Sequence, residues 1–353
     1  MEWIDSVHAA KFGPAEKSPS IAKICKAMGL STKTYYKWKA NPDEEDKRKT
    51  CERPPNKLAM SQEEEDKLLN RIAAADVRDK SLNQAFFYLL DRGEYYGSRS
   101  SFYRKFKKRV DIEAVPPRDG TERRPPAAKP PEGEAKGPNE IWSWDATPLG
   151  RYHLYVAIDI YSRMVVGWEV YEADNAANAL DFWRKTFKAN FIAPSSNIGL
   201  RIHADNGAAM RAASTEALFK EYNVLSTHSR PYVSDDNAFS EALFATLNIR
   251  MGLDRRYMSL EECRATCKQV IYEYNWERYH SGINHVIPAI RHKGPVVETL
   301  YLERRQQVLE AARAKHPERW IQGKVMNCKP AGPQYLNRSD APRPERSGKK
   351  SGT

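Results

Sequence analysis

Residues 151–170 read RYHLYVAIDIYSRMVVGWEV. Tyr152, Leu154, Val156 and Ile158 alternate with Tyr155, Ala157 and Asp159, the two-residue period of a strand. Tyr161, Ser162 and Arg163 make a turn, and MVVGWEV then reads as another strand. Just upstream, WSWDA is a short apolar run that ends on Asp145 and reads as a first strand. Downstream come a helix in NAANALDFWRKTFKAN, a buried strand in LRIHAD, a helix in STEALFKEYN and a fifth strand in VLSTHS, followed by helices. Three strands, then helix, strand, helix, strand and helices describe a mixed sheet covered by helices, an α/β layer architecture.

Around this body, two stretches rich in proline and charge divide the 353 residues. One is ANPDEEDKRKTCERPPNK, residues 40–57. The other, Pro116 to Pro138, has too little apolar surface to pack. The expected organisation is a helical unit at 1–42, a linker at 43–57, a second helical unit at 58–112 and a Pro-rich linker at 113–138. A catalytic-type core follows at 139–295, then a helical or extended segment at 296–336 and a basic tail at 337–353.

Both helical units repeat one pattern. In SIAKICKAMGLSTKTYYKWK, residues Ile21, Ile24, Cys25 and Met28 form an apolar face, and Gly29 ends the helix. Ser31 caps a second helix carrying Lys33, Lys37 and Lys39. SLNQAFFYLLDRG likewise ends at Gly93, and Ser98 caps SRSSFYRKFKKR with Arg104, Lys105, Lys107, Lys108 and Arg109. A helix, a short Gly-containing turn and a basic helix form the helix-turn-helix pattern of DNA readers. A solvated charged face would look the same. The net charge of +11 points to a polyanionic partner.

Other features narrow the class. No run of about 18 apolar residues suggests a membrane span, and the N-terminus lacks a signal-peptide core. The five cysteines are few and scattered, as in a reducing compartment. Cys263 and Cys267 share a helical face but have no second close pair to complete a zinc site.

Three acids stand at strand ends or early in a helix: Asp145, Asp205 in HADNG, and Glu241 in SRPYVSDDNAFSEALFATLN. If the first and fourth strands are neighbours, Asp145 and Asp205 emerge together, and a crossing helix brings Glu241 to them. Clustered carboxylates repel unless a cation neutralises them. Oxygen ligands without His or Cys select Mg²⁺ or Mn²⁺, and two such ions serve phosphodiester chemistry. Each acid also has a plainer reading. DNG is a turn signal, Asp235 and Asp236 suit a helix N-terminus, and Asp159 is a rival for the metal role.

These blocks resemble the DDE transposases and retroviral integrases, and most closely the larger-frame transposases of insertion sequence family three. The similar stretches are WSWDATPL, YHLYVAIDIYSRMVVGWEV, HADNGAAM, SRPYVSDDNAFSEALFATL, ERYHSGINHVIPAIRHKG, ICKAMGLSTKTYYKW and AKHPERW. The spacing 241 − 205 − 1 leaves 35 residues between the second Asp and the Glu, as is frequent in that superfamily. The resemblance implies a ribonuclease H-like, mixed five-stranded sheet flanked by helices, preceded by small all-α helix-turn-helix units. It implies a catalytic triad of Asp145, Asp205 and Glu241 holding two Mg²⁺ ions, or Mn²⁺. It further implies binding of double-stranded DNA (element ends and target), cleavage and strand transfer, a homo-oligomer on paired ends, and a bacterial cytoplasmic, nucleoid-associated location. The family usually has Lys or Arg seven residues after the Glu; here that position is Asn248, with Arg250 two further on, both candidate DNA contacts. A domesticated DNA-binding protein with the same fold and a plain Mg²⁺ nuclease are the alternatives.

Overall fold

β2 (Ile141–Leu149) lies at the centre of a five-stranded sheet in the computed structural model. Residues 2–10, 18–40, 58–107, 132–194, 199–230, 237–320 and 325–337 are described here. β2 turns through the two-residue loop Gly150–Arg151 into β3 (Tyr152–Asp159), with Leu149 opposite Tyr152 and Gly150 at φ +64°. Glycine accepts that conformation without steric cost, as short hairpin loops require. β3 pairs antiparallel with β4 (Val165–Tyr171). On its other edge β2 runs parallel to β5 (Arg201–Ala204), which runs parallel to β6 (Leu225–His228). The order β4-β3-β2-β5-β6 is the ribonuclease H-like mixed sheet that the resemblance implied.

Alternation along β2 decides what each face meets. Trp142 and Trp144 point into a core with Phe182, Trp183 and Phe187 of α7 (Ala176–Ala189) and Phe219 of α8 (Ala213–Glu221). Each such fully buried side chain contributes roughly 1.5–3 kcal/mol. Gly167 lets α7 lie close to β4, because a Cβ there would collide with Thr186. The opposite face of the sheet carries Leu154, Val156 and Val170. It packs on Leu243 of α9 (Ala238–Phe244), on Leu247 beyond it, and on Ile271 and Tyr274 of α10 (Leu260–Trp276). Cys263 and Cys267 are buried in this second core.

The chain divides into Met1–Ala59 and Met60–Thr353. In the first unit, α1 (Glu2–Ala9), α2 (Ile21–Ala27) and α3 (Thr32–Ala40) gather round Ile4, Ile24, Cys25 and Tyr35. Gly29 at φ +67° ends α2, and Ser31 Oγ accepts from Thr34 N at 3.0 Å as the expected cap of α3. Met28 departs from the expected apolar face and is 46% exposed, because it lies just past the end of α2.

The second unit contains α4 (Gln62–Ala73), α5 (Leu82–Leu90) and α6 (Arg99–Lys107) as well as the sheet. Leu68, Phe86, Phe87 and Phe102 share one apolar cluster with Tyr279, Trp320 and Leu309, the last on α12 (Pro295–Lys315). The Gln84 side chain also exchanges two hydrogen bonds with the Tyr279 backbone, at 2.7 and 2.8 Å. The end of the Pro-rich stretch differs from the expected linker. β1 (Gly133–Ala135) pairs antiparallel with β7 (Gln334–Leu336), and Ala135 is fully buried with Ile141 and Leu336. A three-residue strand between prolines becomes favourable only when a partner some 200 positions away completes its ladder.

Candidate active site

Ser143, Asp145 and Thr147 form the polar row of β2 that faces α9. Asp145 is not at the strand end: β2 continues four residues past it, and Asp145 lies opposite Val156 of β3. The parallel ladder to β5 does end there, its last pair being Trp144 with Ala204. The next residues on the two strands are Asp145 and Asp205. Strand neighbours lie about 4.8 Å apart, so the two acidic residues occupy neighbouring positions where the ladder opens.

Asp145 is half-buried, and its Oδ1 accepts the Ala146 amide at 2.8 Å. Burial pushes its carboxyl up to about 7; the Ala146 bond opposes this, while Asp205, Glu241 and Asp174 add like-charge repulsion. Asp174, exposed just before α7, accepts the Tyr155 hydroxyl and is a nearby acid that sequence reasoning missed. No local pattern marks it, since only the fold turns Tyr155 toward it.

Asp205 is held from β6. Ser229 Oγ donates to Asp205 Oδ1 at 2.6 Å, and His228 Nδ1 lies 3.2 Å from the Asp205 carbonyl oxygen. Fully buried His203 sits between Thr227 Oγ1 at 3.2 Å and Ser229 Oγ at 3.3 Å. Glu241 is exposed in the first turn of α9. Asp235 and Asp236, read as the start of this helix, lie outside the described residues.

The rival Asp159 has another occupation. It is fully buried, accepts Asn139 N on Oδ2 at 2.7 Å, and accepts Ser162 N and Oγ on Oδ1 at 2.7 and 2.6 Å. Its lone pairs hold the β3–β4 turn together.

The donor chemistry suits a hard divalent cation. All three candidate groups are carboxylates, and among the described residues nothing donates to Asp145 Oδ2 or Asp205 Oδ2. Among the described residues, however, no three His, Cys, Asp or Glu side chains already converge as a metal cage.

The basic candidates divide by what already engages them. Lys33 and Lys37 are exposed on α3. Lys39 Nζ lies 2.7 Å from Asp5 Oδ1 and 3.1 Å from the Tyr35 hydroxyl, and the Asp5 hydrogen bond raises its pKa. Arg104 is exposed on α6, whereas Lys105 pairs with Glu65. The Lys107 side chain, Lys108 and Arg109 lie outside the described residues. After Phe244 the helix widens to a π-helix over Ala245–Arg250. Asn248 turns toward the sheet, its Nδ2 3.5 Å from Thr147 Oγ1, and its Oδ1 is buried without a partner among the described residues. Arg250 is exposed and forms no ion pair among the described residues.

Residues 135–234 match an integrase core domain family, and residues 222–288 match a second family of the same description. Over 164 residues the chain is 31% identical to the transposase InsF for insertion sequence IS3A of Escherichia coli (strain K12), covering 44% of this chain and 54% of that protein. It is 27% identical over 164 residues to the transposase for insertion sequence element IS904 of Lactococcus lactis subsp. lactis (strain IL1403), covering 44% and 62%. The chain thus spans about half the length of the first of these relatives, 54%. Among solved structures, the catalytic core domain of BIV integrase is 19% identical, with a TM-score of 0.34, covering 50% of this chain and 99% of that one. The HTLV-2 integrase catalytic core domain in complex with magnesium is 17% identical, also with a TM-score of 0.34, covering 46% and 99%.

The sheet order and the sequence matches together define an integrase core domain of ribonuclease H-like fold. Within that class the chain is similar, over 164 residues, to the transposases of insertion sequences IS3A and IS904. No helix among the described residues is long and apolar enough to cross a membrane.

Proposed function

We propose that this chain binds the terminal inverted repeats of a mobile element and catalyses DNA cleavage and strand transfer at Asp145, Asp205 and Glu241. The observation that carries this reading is the pair Asp145 and Asp205, set side by side where the β2–β5 ladder ends. Asp145 supplies a half-buried carboxylate whose charged state is disfavoured by burial and by the neighbouring acids, a cost that a bound cation would relieve. Asp205 comes pre-oriented by Ser229, and Glu241 approaches from the helix above.

These three would hold Mg²⁺ or Mn²⁺. Such ions, when bound, lower the pKa of an attacking hydroxyl and stabilise the leaving oxygen of a phosphodiester. The ordered strand pair holds two acids in register, and the buried tryptophans beneath keep that register rigid. Lys33, Lys37 and Arg104 lie on exposed helix surfaces suited to DNA phosphates, and Arg250 is a separate exposed cation at the end of the π-helix that follows the helix of Glu241. The reading includes assembly of several copies on paired ends, in the bacterial cytoplasm.

The test is cleavage of a terminal-repeat duplex in Mg²⁺. Asp145→Asn, Asp205→Asn and Glu241→Gln should each abolish nicking while leaving end binding largely intact. Full nicking by Asp205→Asn would remove the triad assignment.

A further inference from the structure

We propose that Asn237 is a positioning residue for Glu241, locking α9 in register on β2 through Ser143. The inference rests on the triad reading above and concerns how the chain sets the third acid against the first.

Asn237 occupies the N-cap position of α9, where an Asn side chain normally accepts a backbone amide of its own first turn, worth about 1 kcal/mol. Here it makes no such bond. It is fully buried and turned across to β2 instead. Ser143 Oγ donates to Asn237 Oδ1, and Asn237 Nδ2 lies 3.4 Å from the Trp144 carbonyl oxygen. Ser240 Oγ is 2.8 Å from Ser143 Oγ. A hydroxyl has one proton. Since Ser143 gives its own to Asn237, Ser240 must donate to Ser143. The three groups therefore form one directed chain, from Ser240 to Ser143 to Asn237, inside a site that excludes water.

Geometry gives this chain its purpose. Ser143 and Asp145 are two residues apart on β2 and share a face. Ser240 and Glu241 are consecutive on α9. Fixing Ser240 and Asn237 on Ser143 therefore fixes where Glu241 stands above Asp145, and Trp144, whose carbonyl completes the lock, lies between Ser143 and Asp145. A helix held on a sheet by apolar contacts alone can slide or roll by fractions of a turn. A buried polar lock whose members satisfy one another cannot do so without losing them. The α-helical part of α9 ends three residues after Glu241 and gives way to the π-helix, so the lock secures the end of the helix that carries the acid.

The experiment measures Mn²⁺ binding to the full chain, without DNA, by the electron paramagnetic resonance of the free ion. Asn237→Ala should weaken Mn²⁺ affinity by about 10- to 100-fold, the usual scale for groups that orient metal ligands. Ser240→Ala, which removes one hydroxyl from the far end of the chain, should weaken it by a few-fold. Ser143→Ala combined with Asn237→Ala should be no worse than the more damaging single change, since both break one device. Excess Mn²⁺ should restore nicking to Asn237→Ala. Unchanged Mn²⁺ affinity in both single variants, with only a lower melting temperature, would reduce the cluster to core packing and overturn the proposal. Asp205→Asn separates the two levels. If it too leaves Mn²⁺ binding untouched, the triad reading fails; if it abolishes binding while Asn237→Ala does not, only the positioning role falls.

Discussion

Arg305 grips Asp91 with two parallel bonds, Nε to Oδ1 at 2.7 Å and Nη2 to Oδ2 at 2.8 Å, and its side chain is 1% exposed. The same guanidinium donates to the carbonyls of Asn284 and His285, and Tyr301 also donates to Asp91. Asp91 ends α5 and Arg305 lies within α12, so this network ties the second helical hairpin to the C-terminal helices. Removing one partner of a buried pair strands the other, at about 3–5 kcal/mol. Arg305→Ala should therefore destabilise the Met60–Thr353 unit by that order in urea melts. For the same reason a fragment ending at residue 112 should keep its first helical unit folded by circular dichroism but lose α4 to α6, whose apolar cluster needs Tyr279, Leu309 and Trp320.

The metal-free site should leave a mark on stability. The Asp145 carboxyl sits at about 7 in the folded chain, against an ordinary value of 3.8. Between those values the folded state holds a proton that the unfolded state has lost, so stability falls as pH rises from about 4 to 7 and levels off above. The contribution is fully present below 4. Glu64, held down to about 2 by Arg319, slopes the other way at lower pH, so the comparison should be made with Asp145→Asn. In chelator, wild type should lose stability from pH 5 to 7.5 relative to that variant, and Mg²⁺ at pH 7.5 should close the difference. Parallel melting curves for the two proteins would contradict the burial of a shared acidic site.

Much of this site was legible in the chain, for identifiable reasons. The β3 alternation and the buried run LRIHAD are local patterns, and both strands formed where periodicity put them. The parallel pairing that sets Asp145 beside Asp205 could be anticipated from topology. The length of β2 could not. Thr147, Pro148 and Leu149 look like the start of a turn, yet they extend the hairpin because β3 offers partners as far as Tyr152. Asp159 and Asp145 are both acids on strands, and only tertiary contacts distinguish them: Asn139 and Ser162 saturate one, while among the described residues the other keeps one oxygen without a donor. Asp174 and the β1–β7 pair depend on long-range contacts that no window of sequence contains.

The first helical unit offers a graded test of DNA contact. Lys33 and Lys37 are exposed and have no ion pair among the described residues, whereas Lys39 is spent on Asp5 and Tyr35. Each phosphate contact removed should lower the salt slope of end binding by about 0.9. Lys33→Ala and Lys37→Ala should each do so, and Lys39→Ala should do so less. Equal losses at all three positions would mean that the Asp5 pair opens when DNA binds.

Positions 248 and 250 present their side chains in different directions. On an α-helix seven residues make close to two turns, so Asn248 would stand on the face of Glu241. The π-helix from Ala245 to Arg250 takes more residues per turn. The facing position therefore moves later in the chain. Asn248 consequently rolls toward Thr147, while Arg250 projects into solvent with its charge unpaired among the described residues. Arg250→Ala should lower the salt slope of end binding by about one phosphate contact. Asn248→Ala should leave that slope alone, because the side chain it removes points inward. Asn248→Lys is the sharper probe. Its ammonium must either enter the seam beside Thr147, which costs stability, or push the helix out to reach solvent. Affinity across a salt series, read together with melting temperature, separates the cases. A steeper slope at unchanged stability would place residue 248 on DNA after all and return the cationic role to that position.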